Sequence, residues 1–125
     1  MISPGSAFWL KHPDCEKRHI FFVVFVKGDH ALLVNATTYR HSRQDTSCII
    51  ELSEYPHLPG KSIINYADAI EPLISDLEKA QSSLDQAQFH PLKPASPELL
   101  AKMQAGAKKS PALRKKFKAY FEDPL

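Results

Sequence analysis

The chain has 125 residues, 43% of them apolar and 24% charged, with 16 Lys/Arg against 14 Asp/Glu for a net charge of +2. That is enough chain for one domain with one proper core and an ordinary globular composition, which excludes a disordered or collagen-like polypeptide. No stretch approaches the roughly 18 apolar residues that a membrane span needs, the start "MISPGSAFWLKH" lacks the pattern of a secretion signal, and four glycines with no phosphate-cradling motif exclude a nucleotide-binding loop.

In chain order, the first part reads as β. "AFWL" (Ala7 to Leu10) is a short strand. "HIFFVVFV" (His19 to Val26) is rich in aromatic and β-branched residues and too short for an ordinary helix. "KGDH" supplies a Gly-Asp turn, and "ALLVNATTY" (Ala31 to Tyr39) is the returning strand of an antiparallel hairpin. After a polar loop, "CIIEL" (Cys48 to Leu52) is a fourth strand. "SEYPHLPGK" (Ser53 to Lys61), with two prolines and a glycine, is a loop, and "SIINYADA" (Ser62 to Ala69) is the fifth strand. Five short strands in about 65 residues predict a small, strongly bent antiparallel sheet or barrel, since closure removes exposed edges.

The pattern changes after Glu71. Residues 72–87 place Leu73, Leu77, Ala80 and Leu84 on one helical face. Residues 89–95 read as a proline-broken linker. Ser96-Pro97-Glu98 and Ser110-Pro111 are helix starts, predicting helices over 97–105 and 111–121. Leu99, Met103, Leu113 and Phe117 are expected to pack on the sheet or on a partner. The fold class is thus mainly β with C-terminal helices: a β domain over 1–71 and a helical extension over 72–125, forming one compact unit. Charge is uneven. Residues 1–95 carry nine basic against eleven acidic side chains, a balance of −2, and residues 96–125 seven against three, a balance of +4. Any polyanion is expected to meet the tail rather than the body, at Arg114, Lys115 and Lys118; the plain alternative is that these form a solvated face, and a third, for which the segment is short, is a membrane-surface helix.

The richest polar stretch is "DTSCIIELSEYPHLPGKSIINYADA", Asp45 to Ala69. His57 sits in its proline-flanked loop, and an imidazole ordinarily exchanges a proton near neutral pH. Ser47, Ser62 and Tyr66 can hydrogen-bond a phosphate or a base. The bland alternative is that His57 belongs to a turn and Tyr66 packs. Cys48, at the start of an apolar strand, reads as a buried inert thiol rather than a nucleophile. His12, Cys15 and His19 are spaced H-x2-C-x3-H, but a closed zinc site needs a fourth ligand from elsewhere, so no metal or cofactor is assigned.

The motifs "LLVNATT", "DTSCII" and "YPHLPGKSIINYADA", with the tail "PELLAKMQAGAKKSP", resemble those of small bacterial proteins that look like relatives of the PemK/MazF toxin group. The resemblance runs from Val23 through most of the chain. It implies an SH3-like barrel, a cytoplasmic toxin-like component of a toxin–antitoxin module, and metal-independent RNA cleavage by the neighbouring 2′-OH. The chain departs from the toxin group in two places: Gly28-Asp29 is a hairpin turn rather than a strand start, and Arg40 is followed by His41, not by proline. Carried over, the resemblance makes His57 the acid/base group, Arg40 or Arg43 the cation for the phosphorane, and Thr37, Thr38, Ser47 and Ser62 the phosphate holders. Candidate partners are an antitoxin protein, RNA and a second copy of the chain, with no membrane. The rival class is a non-catalytic binding module for protein or nucleic acid. For His57 to work, the loops at 40–47 and 53–62 must face one another at one mouth of the sheet, with Asp45 orienting His57 or Arg43 binding the anion. If strands 31–39 and 48–52 are antiparallel neighbours, these loops leave opposite ends, and the sheet must coil to bring them together.

Overall fold

The structure, a computed structural model, describes residues 2–11, 18–82 and 89–122, apart from the side chains of residues 11 and 18. Its strands are β1 (Ala7–Lys11), β2 (Arg18–Lys27), β3 (His30–Thr38), β4 (Ile49–Ile50), β5 (Ser62–Ile70) and β6 (Phe89–Leu92). Two α-helices, α1 (Ile74–Ser82) and α2 (Pro97–Lys109), and a 3-10 helix at Lys115–Tyr120 complete it. The protein is mainly β, with one six-stranded antiparallel sheet in the order β4-β5-β3-β2-β1-β6.

The β2–β3 hairpin forms where the alternating apolar runs meet a two-residue turn. Lys27 pairs with His30, and Gly28 takes a φ of 61°, which a glycine-first hairpin turn requires. A bulge between Val23 and Phe25 sets both Val24 and Phe25 against the same side of the sheet. β5 departs further: its residues between Asn65 and Ile70 stand opposite Val34 alone, which lets Tyr66 swing toward α2.

Both faces of the sheet are covered. On one, Ile20, Phe22, Leu32, Val34, Ile64 and Tyr66 meet Leu99 and Met103 of α2, together with Leu113 and Phe117 of the tail. On the other, Phe8, Val23, Leu33 and Phe89 meet Leu77 of α1. Leu99, Met103, Leu113 and Phe117 are all buried, as their spacing predicts. At roughly 1.5–3 kcal/mol for each large side chain taken from water, this docking is the main reason the tail is ordered. No helix of the described residues is long and apolar enough to cross a membrane.

Several expectations are corrected. The five strands expected over residues 7–69 are present, but a sixth joins them: the predicted linker at 89–95 contains β6, which pairs with β1 despite Pro91. The proline is tolerated because β6 is an edge strand and needs no donor on its outer side. The pairing runs from β4 at one edge to β6 at the other, so hydrogen bonds do not close the sheet into a barrel. The loop after β4 nonetheless lies across one face of the sheet: Tyr55 meets Phe22 of β2 edge-on, and its hydroxyl donates to the carbonyl of Lys93, just past β6, at 2.6 Å. The strand over Cys48–Leu52 shrinks to Ile49–Ile50. Helix 72–87 begins at Ile74, leaving Leu73 exposed, and Leu84 lies outside the described residues.

The predicted helix over 111–121 is only the 3-10 turn. Ser110 Oγ accepts from the amides of Ala112 and Leu113, and Arg114 is extended, with its guanidinium donating to the Ala69 carbonyl at 2.8 Å. Neighbouring like charges give a helix here no side-chain pairing, and tertiary contacts, such as Phe121 against Phe25, set the path instead.

Candidate functional site

A cleft of about 470 Å³ opens at the Thr38 end of β3. Trp9, Ile20 and Ala36 line it from adjacent strands, and Leu58 and Pro59 from the loop opposite. The polar lining is His57, Arg40, Thr37, Thr38 and Ser62, with His19. Five residues singled out in the sequence therefore share one cleft, although they span 37 to 62.

The register explains the convergence and corrects the expected topology. β5 inserts between β3 and β4: Thr38 pairs with Ser62 on one side, and Ile50 pairs with the same Ser62 on the other. β3 and β4 therefore run in the same direction and end together. The Arg40 loop and the His57 loop leave from one end of the sheet, and no coiling is needed to join them. The amide of Tyr39 donates to the Lys61 carbonyl at 3.0 Å, tying the two loop roots together.

His57 is exposed but not loosely held. Tyr55 and Leu58 are buried on either side of it, and the amide of Leu58 donates to the Tyr55 carbonyl at 3.2 Å. Pro56 and His57 occupy the centre of this turn, where proline's fixed φ suits the first central position. The Tyr55 ring lies 5.3 Å from the imidazole, and burial pushes the Tyr55 hydroxyl up to about 12. Glu54 accepts from Lys102 of α2 at 2.8 Å, which fastens the loop to the helix.

Arg40 is positioned by a residue that the sequence reading missed. Gln44 Oε1 accepts from the amides of Arg40, at 2.6 Å, and His41, at 3.1 Å, while its Nε2 donates to the Thr38 carbonyl at 3.2 Å. A glutamine six residues after a strand end is too common to signal this. Trp9 was read only as part of a strand. Ser62 is buried, with its hydroxyl donating to the Gly60 carbonyl at 2.9 Å, so it closes the base of the cleft.

Other predicted site residues lie elsewhere. Arg43 is exposed on its loop and does not line the cleft. Asp45 turns toward α2: it accepts from the Ser47 amide at 3.0 Å and hydroxyl at 2.6 Å, and from the Ser110 hydroxyl at the end of α2. Tyr66 is fully buried and its hydroxyl donates to the Met103 carbonyl at 2.6 Å. Burial pushes the Cys48 thiol, beside it, up to about 11, as expected for an inert cysteine. Asp45, Ser47 and Tyr66 thus hold α2 rather than face the cleft. Arg114, Lys115 and Lys118 lie where the tail crosses the far end of β2, beside Lys27, whose ammonium donates to the Ala119 carbonyl at 2.9 Å. From Ile20 to Lys27 the strand covers roughly 20 Å at about 3.3 Å per residue, so the basic tail and the cleft occupy opposite ends of the molecule. His12 and Cys15 lie outside the described residues, and among those residues no group of three His, Cys, Asp or Glu is placed to hold a metal.

The Asp45 contacts carry a stability prediction. Burial raises its carboxyl and the hydrogen bonds from Ser110 and Ser47 lower it, leaving it below the usual carboxylate value. A carboxyl depressed in the folded state contributes stability that is present above its unfolded value of about 3.9 and lost as pH falls through the folded value. In urea melts of wild type and Asp45→Asn between about pH 7 and about pH 2, the stability gap is expected to narrow toward the acid end. A gap as wide at about pH 2 as at about pH 7 would contradict this.

No family model, no curated protein and no solved structure matches the chain.

Proposed function

We propose that the chain is a cytoplasmic, toxin-like component of a toxin–antitoxin module, and that its cleft binds RNA and cleaves it without a metal ion. The observation that carries the reading is the meeting of His57, Arg40 and the hydroxyls of Thr37, Thr38 and Ser62 at one cleft. In the reaction, the 2′-oxygen bonds to the adjacent phosphorus as the bond to the 5′-oxygen breaks. The proton lost from the 2′-OH is matched by one gained at the leaving 5′-oxygen. His57 carries one of these transfers, and Arg40 faces the charge that builds on the phosphoryl oxygens. The SH3-like likeness belongs to the same proposal, and its support is the hydrogen bond by which Tyr55, after one edge strand, reaches Lys93, after the other. An antitoxin protein and a second copy remain the proposed protein partners. The apolar stripe of the tail does not serve them, because Leu99, Met103, Leu113 and Phe117 are buried within the chain.

Mixed-sequence single-stranded RNA incubated with the purified protein in EDTA is expected to yield fragments ending in a 2′,3′-cyclic phosphate. DNA of the same sequence, which lacks the nucleophile, stays intact. Arg40→Ala should slow cleavage by about 10²-fold or more, the usual loss when one charge-stabilising donor is removed. RNA left intact and unbound would overturn the reading. RNA bound but uncut would support the non-catalytic binding module.

A further inference from the structure

We propose that Trp9 is the base-stacking residue of the cleft, the ring on which one unpaired base of the RNA is held. The inference rests on reading the cleft as an RNA site. Trp9 pairs with Ile20 across β1 and β2, packs against the main core cluster and lines the cleft. It is only half-buried, although it is the largest apolar side chain in the sequence. Its ring meets His90 of β6 at 6.2 Å and 50°. The indole is thus fixed by the sheet on one flank and borders the cleft on another.

A stacking platform needs this arrangement: a rigid ring whose orientation is set before the ligand arrives, so that little freedom is lost on binding. The polar groups that would engage a sugar and phosphate, Arg40 and Thr38, line the same cleft. At about 470 Å³ the space suits a ligand of nucleotide size. A duplex keeps its bases stacked on each other and offers none to an aromatic ring, whereas single strands splay theirs out.

The test uses the fact that Trp9 is the only tryptophan in the chain, beside four tyrosines, so emission excited at the red edge, where tyrosine does not absorb, reports on this ring alone. Titration with a mixed-sequence single-stranded RNA is expected to change the emission, and a perfectly paired RNA duplex at equal phosphate concentration to leave it unchanged. Trp9→Leu keeps apolar bulk against the core but removes the π-face. A stacked base is worth about 1–3 kcal/mol, so affinity should fall about fivefold to a hundredfold, with KM rising and kcat nearly unchanged. Trp9→Phe should restore most of it. Thermal melting of both variants confirms that they are folded. Cleavage of RNA with no change in emission and no loss of affinity in folded Trp9→Leu would overturn the stacking role while leaving the RNA reading in place. An equal response to the duplex, which offers the ring no unpaired base, would also overturn the stacking role. No response to any RNA and no cleavage would overturn both.

Discussion

His57→Ala is expected to lower RNA cleavage by about 10²–10⁴-fold, the usual worth of a positioned acid or base, with little change in folding stability or RNA affinity. The imidazole is exposed, so its removal leaves no cavity in the core. The turn that presents it is held by its neighbours. Tyr55 and Leu58 are buried on either side, the Tyr55 hydroxyl is bonded to Lys93, and Glu54 is paired with Lys102. Because the substituted side chain supports none of these contacts, the effect should fall on kcat and not on the melting temperature. Single-turnover cleavage and thermal unfolding of the same preparation separate the two. A loss of activity that tracks a loss of stability would assign His57 a structural role, and undiminished cleavage would remove it from the chemistry.

Gly106→Ala is expected to destabilise the protein, against the usual direction for a glycine inside a helix. Alanine there normally gains about 1 kcal/mol of helix propensity. In α2, however, an added Cβ would overlap the Tyr66 hydroxyl and lie 2.9 Å from the Cβ of Cys48 and 3.0 Å from the Ser47 carbonyl oxygen. Tyr66 is fully buried and bonded to Met103 one turn earlier in the same helix, so it has no room to yield. The other two atoms belong to the chain leading into β4. Overpacking of this kind costs about 1–3 kcal/mol, occasionally more, and should outweigh the propensity gain. Urea denaturation would show a lower midpoint at unchanged slope. Combining Gly106→Ala with Tyr66→Phe removes the overlapping hydroxyl, so the double variant should lose less stability than the two single losses added together. A Gly106→Ala protein as stable as wild type would show that α2 can lift away from β5 freely.

Glycine at 106 and tyrosine at 66 illustrate what could not be read from the chain. Each is ordinary in its local setting: a glycine in a helix and a tyrosine in a strand. Their relation exists only because α2 docks over β5. The same holds for Asp45 and Ser47. They lie in a run of small polar residues that resembles a binding site in sequence, and their hydrogen bonds go to each other and to the end of α2. Asp45 accepts from the Ser110 hydroxyl only because its loop packs on the end of α2, and nothing in the spacing of the two residues announces that they meet.

Elements with a local signal are legible in the chain alone. Alternating β-branched and aromatic residues specify β1, β2, β3 and β5, a Gly-Asp pair specifies the β2–β3 turn, and Ser96-Pro97 specifies the start of α2, where Ser96 Oγ accepts from the Leu99 amide. The sequence also marked His57, since prolines at 56 and 59 force a loop that lifts the ring outward. Long-range packing set everything that depends on pairing partners distant in the chain. It placed β5 between β3 and β4, so that Arg40, His57 and Ser62 share one end of the sheet. It drew Phe89–Leu92 into an edge strand because β1 offered an unpaired ladder. It held the tail in a 3-10 turn at the opposite end of β2 from the cleft, where burial of Phe117 and the reach of Arg114 to Ala69 outweigh the helical spacing. Local propensities are worth only tenths of a kcal/mol per residue, up to about 1. Burial of one large apolar side chain is worth more than that, and for this reason the long-range contacts prevail wherever the two disagree.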